Sequence, residues 1–175
     1  MEKIFYANVS DHANSEAAVK KVLGTYFGIS DPKIERNDNG KPFLKQNADA
    51  RLFFSVSHAQ NRLFIAVCDE NVGIDAESSA RKTHYPPIIR KFHETERNEI
   101  DGNEAFLRHW TVKESAVKWL GGTLAHDLYK LVYTGGRVRY GEIELPVVLS
   151  NLRFEEYILA VCSEKDFSQA EFIPF

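Results

Sequence analysis

The chain has 175 residues, of which 43% are hydrophobic, and a formal charge of −3. This length suits one domain, or two small halves, with a proper core. The slightly acidic balance excludes the basic field that attracts nucleic acid or an anionic membrane, so we expect neither as a partner.

Residues 1–5 contain no apolar core of signal-peptide length, and no run approaches the roughly 20 apolar residues of a membrane span. Cys68 and Cys162 both lie in apolar runs, which is typical of buried free thiols in a reducing compartment. We therefore expect a cytoplasmic protein.

Apolar alternation and turn signals in the first part of the chain predict five strands and one helix. In chain order these are strand 3–9, helix 14–27, strand 33–36, strand 52–58, strand 62–69 and strand 72–77. Ser10 or Asp11 can cap the helix and Gly28 can end it. Asn39 and Gly40 give a hairpin signal.

The second part of the chain is helical first and then rich in strands. The predicted elements are short helices at 88–92 and 96–100, a longer helix at 104–120 that stops at Gly121-Gly122, and strands at 129–134, 137–143, 153–163 and 171–173. Helices and strands are mixed without strict βαβ alternation, which predicts the α+β class. The apolar run 63–68 is echoed by 157–162, which suggests a duplicated architecture with an N-terminal half 1–71 and a C-terminal half 72–175.

The stretch 72–77 alternates apolar residues with Gly73, Asp75 and Glu77. Side chains two apart on a strand share a face, so two carboxylates would stand side by side. Neighbouring carboxylates repel unless a cation compensates them, and Mg²⁺ with oxygen ligands is a usual solution. An edge strand with two solvated acids is an equally good interpretation of this stretch alone.

The longer helix places a carboxylate, Glu114, inside an apolar sector between Trp110 and Leu107. A buried carboxylate is costly unless it is paired or bound to metal. The alternative is a surface ion pair between Glu114 and Lys118, one turn later. His58 ends a predicted strand and Lys41 follows the hairpin turn; together they would suit an anionic ligand such as phosphate. Gly-rich phosphate loops are absent from the sequence.

Four motifs occur together and in order, namely Gly40-Lys41-Pro42, Ser57-His58, Val72-Gly73-Ile74-Asp75-Ala76-Glu77 and Trp110-Thr111-Val112-Lys113-Glu114-Ser115-Ala116-Val117-Lys118. In combination they resemble the 4′-phosphopantetheinyl transferase superfamily, in its surfactin-synthetase-activating type. The resemblance spans nearly the whole chain. It implies a monomer of two similar α/β halves, related by a pseudo-two-fold axis, with the active site between them.

The resemblance also implies an activity and a set of roles. The 4′-phosphopantetheine arm of coenzyme A would pass to a serine of an apo acyl, peptidyl or polyketide carrier protein (holo-acyl-carrier-protein synthase activity), releasing adenosine 3′,5′-bisphosphate. Mg²⁺ would be held by Asp75, Glu77 and Glu114. Glu114 and Lys118 would be the catalytic residues, the first as base for the carrier serine. The residues implied to contact coenzyme A are Lys41, Ser57, His58, Lys113 and Lys118.

The chain departs from the family pattern at several places. Ala59 follows the Ser-His pair where Ser is common, and the segment between the first strand and the first helix is shorter than in longer members. Ser55 stands where the family usually has Asn before the Ser-His pair, and the basic residue that often begins the first helix is not evident. These departures leave the contacts to the 3′-phosphate of coenzyme A open. The basic residues Arg81, Lys82, Arg90 and Lys91 are a candidate surface for an acidic carrier protein, or simply a solvated basic face.

Two other functions stay open at this point. A protein of the same fold could bind coenzyme A or a carrier protein without catalysing transfer. A Mg²⁺-dependent hydrolase of nucleotide pyrophosphates would use a similar set of acids and lysines.

Overall fold

A computed structural model describes residues 2–9, 14–45 and 51–175. Helices and strands follow one another in mixed order, which confirms the predicted α+β class. The first part of the chain contains β1 (Lys3–Asn8), α1 (Ser15–Phe27), β2 (Ile34–Arg36), β3 (Pro42–Leu44), β4 (Phe53–Ala59), β5 (Arg62–Cys68) and β6 (Val72–Ser78). The second part contains α2 (Pro86–Ile89), α3 (Glu94–Glu99), α4 (Asn103–Leu120), α5 (Leu124–Asp127), β7 (Leu131–Thr134), β8 (Arg137–Tyr140), β9 (Ile143–Glu144), β10 (Val148–Phe154), β11 (Tyr157–Ser163) and β12 (Glu171–Pro174).

Two sheets form the framework of the fold. The first has the strand order β12-β1-β5-β4, and the second has the order β10-β11-β6. All pairs are antiparallel except β1 with β12. The division of the chain into halves 1–71 and 72–175 stays a prediction, but one strand of the later half, β12, pairs with β1 of the earlier one.

The main core lies where the two sheets meet, and it draws apolar side chains from both, among them Ile4, Phe64, Ile74, Leu159 and Val161. A second core joins α1 to the first sheet through Val19, Val22 and Leu23. No helix within 2–9, 14–45 and 51–175 is long and apolar enough to cross a membrane.

The ends of the two long helices follow ordinary capping chemistry. The Asn14 side chain caps α1 by accepting hydrogen bonds from two backbone N–H groups of the first turn. The predicted caps Ser10 and Asp11 lie outside the described residues. Gly28 and Gly121 end α1 and α4 in the left-handed conformation, as their positions predicted.

The segment predicted as one strand, 153–163, is wrong in its extent. It comprises the end of β10, a tight turn and β11. Glu155 has φ of 51° in that turn, so the chain reverses there, and Phe154 pairs with Tyr157 across it. Apolar residues on both sides of the turn hid this reversal in the sequence.

Strand β6 is buried along its whole length, which rules out the solvated edge strand considered from the sequence. One edge pairs with β11, and the face that carries Gly73 packs against α4. A Cβ atom at Gly73 would lie 2.0 Å from the Ser115 carbonyl oxygen and 2.6 Å from the Trp119 backbone nitrogen. Only glycine allows this close approach. Asp75 and Glu77 follow Gly73 at intervals of two residues, so they lie on the same face of the strand. The two acids are therefore turned toward the helix that carries Glu114 and Lys118.

Candidate functional site

Asp75 is the centre of a cluster of charged groups between β6 and α4. Its side chain is only 6% exposed. The Oδ1 atom accepts a hydrogen bond from Lys118 Nζ at 2.7 Å and another from Ser57 Oγ at 2.9 Å. The Oδ2 atom is buried and has no hydrogen-bond partner among the described residues. A buried carboxylate oxygen without a donor is unusual and indicates a missing ligand.

Glu114 lies one helical turn before Lys118 and interacts with Asp75. Burial, and after it the negative charge of Asp75, raise the pKa of Glu114 to about 8, while Lys118 opposes the shift. Without a cation, the raised pKa therefore favours the neutral form of Glu114 near neutral pH.

Glu77 belongs to the same acidic group but is bound differently. Its carboxylate pairs with Arg81, four residues later, and Arg81 is half exposed. Burial raises the pKa of Glu77, although Arg81 opposes that shift. Glu77 is thus partly neutralised by a neighbouring arginine before any ligand binds.

These residues fit a hard divalent cation. Mg²⁺ prefers carboxylate oxygens and uses only a few of them. A cation beside Asp75 and Glu114 would give the unpartnered Asp75 Oδ2 a partner and would favour the ionised form of Glu114. The oxygens of Asp75, Glu77 and Glu114 do not all lie within 4.8 Å of one another, and Arg81 accounts for the position of Glu77. Asp75 and Glu114 are therefore the stronger pair of candidate ligands.

Lys118 connects the acidic cluster to a groove. Its ammonium group donates to the Ile74 carbonyl oxygen as well as to Asp75. The same side chain lines a cavity of about 260 Å³ opposite Lys41. A second cavity of about 210 Å³ shares Pro42, Phe54 and Val56 with the first, so the two are neighbours; together they are called the groove.

The far end of this groove carries His58 and Arg36. His58 is exposed, and its Nε2 atom lies 3.5 Å from Ser15 Oγ at the start of α1. Partial desolvation of the ring, followed by the positive charge of Lys118, lowers the pKa of His58. Arg36 donates to the Gly40 carbonyl oxygen at 2.9 Å. The groove thus has the lysines Lys41 and Lys118 in one part and the positive charge of Arg36, with the imidazole of His58, in the other, which suits an elongated anionic ligand.

Lys41 is mostly buried in the groove wall and has no carboxylate partner among the described residues. Its Nζ atom lies 3.1 Å from Asn71 Oδ1 and 3.4 Å from the Val72 carbonyl oxygen. Burial lowers the pKa of Lys41 to about 8. An uncompensated buried ammonium is costly to the folded state, and a bound anion would relieve this cost.

The hairpin that carries Lys41 is tied to the end of α4. The Asn37 and Asn39 side-chain amides donate to the Gly121 carbonyl oxygen at 3.0 and 2.9 Å. Asn71 donates to the Trp119 carbonyl oxygen at 2.7 Å. These amides satisfy carbonyl groups that the end of a helix leaves open. They also fix Lys41 relative to Lys118 across the groove.

Comparison with known proteins agrees with this geometry. A family model described as the 4′-phosphopantetheinyl transferase superfamily matches residues 71–162, which include β6 and α4. The chain belongs to the 4′-phosphopantetheinyl transferase superfamily. The resemblance inferred from the four motifs is therefore confirmed.

Three curated relatives carry the transferase name. The chain is 28% identical over 121 residues to the 4′-phosphopantetheinyl transferase HetI of Nostoc sp., covering 61% of this chain and 50% of the relative. It is 29% identical over 127 residues to the 4′-phosphopantetheinyl transferase gsp of Aneurinibacillus migulanus, with coverages of 66% and 52%. It is 30% identical over 134 residues to the L-aminoadipate-semialdehyde dehydrogenase-phosphopantetheinyl transferase of Xenopus laevis, with coverages of 66% and 44%. The chain spans about half the length of the curated relatives it matches.

One residue that the phosphopantetheinyl transferase resemblance implied as a coenzyme A contact lies elsewhere, and this is a correction. Lys113 is fully buried, and its ammonium donates to both oxygens of Glu96 at 2.9 Å and to the Leu131 carbonyl oxygen at 2.6 Å. It also lies 4.0 Å above the Phe92 ring. Because Lys113 precedes Glu114 by one position, it points about 100° around the helix, away from the groove.

Ser57 was also expected to contact coenzyme A, and its hydroxyl is engaged elsewhere. It donates to Asp75 and accepts the backbone N–H of Ala76, and the residue is only 3% exposed. The structure therefore brings Asp75, Glu114, Lys118 and Ser57 into one cluster, with Lys41 and His58 along the groove. It separates Lys113 from them.

Sequence reasoning missed the partners Glu96 and Arg81. Arg81 had a local signal, since it follows Glu77 by four residues, but it was considered only as part of a docking surface. Glu96 had a capping signal: it stands three residues after His93, and its carboxylate accepts the His93 backbone N–H. The contact of Glu96 with Lys113, 17 residues away, had no signal in the sequence.

Proposed function

We propose that the protein transfers the 4′-phosphopantetheine arm of coenzyme A to a serine hydroxyl of an apo carrier protein. One observation carries the proposal: Asp75, which interacts with Glu114, is held by Lys118 on one oxygen, while its other oxygen is buried and unpartnered. An incomplete carboxylate site at a cationic groove suits a metal-dependent reaction of a phosphate ester. Membership of the transferase superfamily supports the same reaction.

Coenzyme A would lie along the groove with its phosphates toward the cations. Lys118 and Lys41 line one part of the groove and would bind the pyrophosphate. His58 and Arg36 line the other part and would contact the nucleotide end. The pantetheine arm would then leave the groove on the side of the acidic cluster.

The acids would hold the cation and accept the proton. Asp75 and Glu114, with Glu77 once Arg81 releases it, would hold Mg²⁺, which supplies charge neutralisation at the pyrophosphate. The serine oxygen attacks the phosphorus that bears the pantetheine arm. The bond from this phosphorus to the bridging oxygen breaks, and adenosine 3′,5′-bisphosphate leaves.

Glu114 would take the proton from the serine. A carboxyl group with a pKa raised toward neutral is a more effective base than an ordinary one, provided it is ionised when the serine arrives. A neighbouring cation favours the ionised form. Lys118, which is paired with Asp75, would stabilise the negative charge that develops on the leaving phosphate.

The buried free thiols Cys68 and Cys162 fit a reducing cytoplasm, where we propose that the protein works.

The test is transfer to a panel of apo carrier proteins from fatty acid, polyketide and peptide synthesis. Purified protein, coenzyme A and Mg²⁺ should convert at least one carrier to its holo form, measured as intact mass. Asp75→Ala should abolish conversion while the circular dichroism spectrum stays unchanged. An active Asp75→Ala variant would contradict the assignment of the metal site.

Two control reactions separate the other functions. Release of adenosine bisphosphate from coenzyme A without any carrier would indicate a hydrolase. Tight coenzyme A binding by calorimetry with no turnover on any carrier would indicate a binding module. Either result would overturn the proposed transfer.

A further inference from the structure

Two serines of β4 reach across to the open edge of β6. Ser55 Oγ accepts the backbone N–H of Ile74 at 3.1 Å, and Ser57 Oγ accepts the backbone N–H of Ala76 at 3.1 Å. The serines are 4% and 3% exposed. Each hydroxyl replaces a hydrogen bond that a neighbouring strand would have supplied to β6. In this respect the two residues are equivalent.

The serines differ in where their hydroxyl hydrogen goes. Ser57 Oγ donates to Asp75 Oδ1 at 2.9 Å. Among the described residues, the only hydrogen bond of the Ser55 hydroxyl is the one to Ile74. Ser57 therefore contacts the acidic cluster and Ser55 does not, although both support the same strand at the same depth.

The contact from Ser57 decides which oxygen of Asp75 is free. Lys118 and Ser57 both donate to Oδ1, so the donors converge on one side of the carboxylate. Oδ2 is left buried without a hydrogen-bond partner, on a carboxylate that interacts with Glu114. A carboxylate held by two donors on one oxygen cannot rotate freely about its terminal bond. Its other oxygen is therefore held in one position and is available to a cation.

We propose that Ser57 is a positioning residue for the metal site: its hydroxyl holds Asp75 so that Oδ2 is presented to the divalent cation. This inference rests on the proposed function, since it assigns the carboxylate to a metal. It gives Ser57 a role other than the contact with coenzyme A that the resemblance implied. Removal of a residue that hydrogen-bonds to a metal ligand, without itself binding the metal, typically lowers the metal affinity by about 10–100-fold.

The test compares Ser57→Ala with Ser55→Ala. Both changes leave one N–H of β6 without its acceptor, but only the first removes a donor from Asp75. Mn²⁺ serves as the probe, because it prefers the same oxygen ligands and its free form is measured by electron paramagnetic resonance. The full chain is titrated with Mn²⁺ in the presence of coenzyme A, and thermal unfolding is recorded for each variant.

We expect Ser57→Ala to weaken Mn²⁺ binding by roughly tenfold or more. We expect Ser55→Ala to change it by less than about twofold, with a similar loss of thermal stability in both variants. Ser57→Thr keeps the hydroxyl and should restore affinity. In carrier assays, Ser57→Ala should raise the Mg²⁺ concentration for half-maximal rate, and excess Mg²⁺ should recover most of kcat.

Two outcomes overturn the inference. Equal loss of Mn²⁺ affinity in both alanine variants would show that the serines act only by supporting β6. A raised KM for coenzyme A with unchanged Mn²⁺ affinity in Ser57→Ala would indicate that this residue contacts coenzyme A and does not position Asp75. If Ser57→Ala does not fold, the pair Ser57→Cys and Ser55→Cys replaces the alanine pair, because a thiol keeps the volume and weakens the hydrogen bond.

The design keeps the inference apart from the proposed function. Failure of wild-type protein on every carrier, with Mn²⁺ binding still sensitive to Ser57 and not to Ser55, would remove the transfer reaction but keep the positioning role. Transfer by the wild type, with equal Mn²⁺ affinity in the Ser57→Ala and Ser55→Ala variants, would keep the transfer reaction but remove the positioning role.

Discussion

Helix α4 carries two lysines that each bind a carboxylate inside the protein, and the two pairs are completed differently. Lys113 donates to both oxygens of Glu96, and both side chains are fully buried. Glu96 also accepts backbone N–H groups from His93 and Tyr133. Lys118 donates to one oxygen of Asp75, and the other oxygen has no partner among the described residues.

The difference lies in charge balance and access. The first pair matches one ammonium with one carboxylate and satisfies every oxygen, so it joins α3, α4 and β7 and offers nothing to a ligand. In the second, Lys118, whose side chain is 28% exposed, faces Asp75 and Glu114 together with Glu77, and within the described residues only Glu77 has a further cation, Arg81. A complete buried pair is structural, whereas a pair with surplus carboxylates and an open oxygen is prepared to bind a cation.

Removing the acid from each pair should separate the two roles most strongly. Glu96→Gln leaves the Lys113 ammonium buried without a counter-charge, so we expect a loss of about 3–5 kcal/mol in the free energy of unfolding. Asp75→Asn should cost far less, because it also relieves the repulsion on Glu114. Urea unfolding followed by circular dichroism measures both.

A double replacement sharpens this result. Lys113→Met with Glu96→Leu removes both charges, and apolar side chains of similar size should recover most of the lost stability. Equal destabilisation by Glu96→Gln and Asp75→Asn would mean that the two pairs do not differ in the way described.

Gly73→Ala should disturb only the second pair. The added Cβ atom meets the α4 backbone, so we expect a loss of about 1–3 kcal/mol and a shift of Lys118 and Glu114 away from β6. A displacement near 1 Å can reduce turnover by about a hundredfold. Gly102→Ala is the matched control, since that glycine has an extended backbone and open space around its Cβ position. Normal turnover in Gly73→Ala would contradict the close packing of β6 on α4.

Lys41 supplies the third case, a buried lysine without a carboxylate partner in the described part of the chain. Its folded-state pKa of about 8 lies below 10.5, the ordinary value for lysine, so the charged form is disfavoured by folding at neutral pH. Lys41→Met should therefore stabilise the protein by about 1–2 kcal/mol at pH 7 and raise the KM for coenzyme A. The gain should shrink as pH rises from 8 toward 10.5, because the wild-type lysine then loses its proton in the folded state.

The control for this prediction is Lys45→Met, which removes an exposed lysine paired with Glu35 on the same hairpin. It should leave both the stability profile and the KM near those of the wild type. A Lys41→Met variant that is less stable at pH 7 would mean that the hydrogen bonds to Asn71 and Val72 outweigh the cost of burying the charge.

Local periodicity in the sequence determined a large part of this protein. The two-residue period of a strand puts Gly73, Asp75 and Glu77 on one face, and the helical period puts Glu114 one turn before Lys118. Gly28 and Gly121 marked the ends of α1 and α4. These features follow from backbone geometry over a few residues, so they can be derived without knowing what packs against them. The combination of four motifs then predicted the family.

The tertiary structure alone decided what each face meets. Lys113 appeared beside the apolar sector of α4, but α3 and β7 cover that side and turn it into a buried ion pair with Glu96. Ser57 appeared in a ligand-binding motif, but β4 packs beside β6, so the Ser57 hydroxyl donates to Asp75. Such contacts depend on how elements far apart in the sequence pack together, and no local pattern encodes them. The stretch 72–77 predicted two acids side by side; the packing of α4 on Gly73 buried them next to a third.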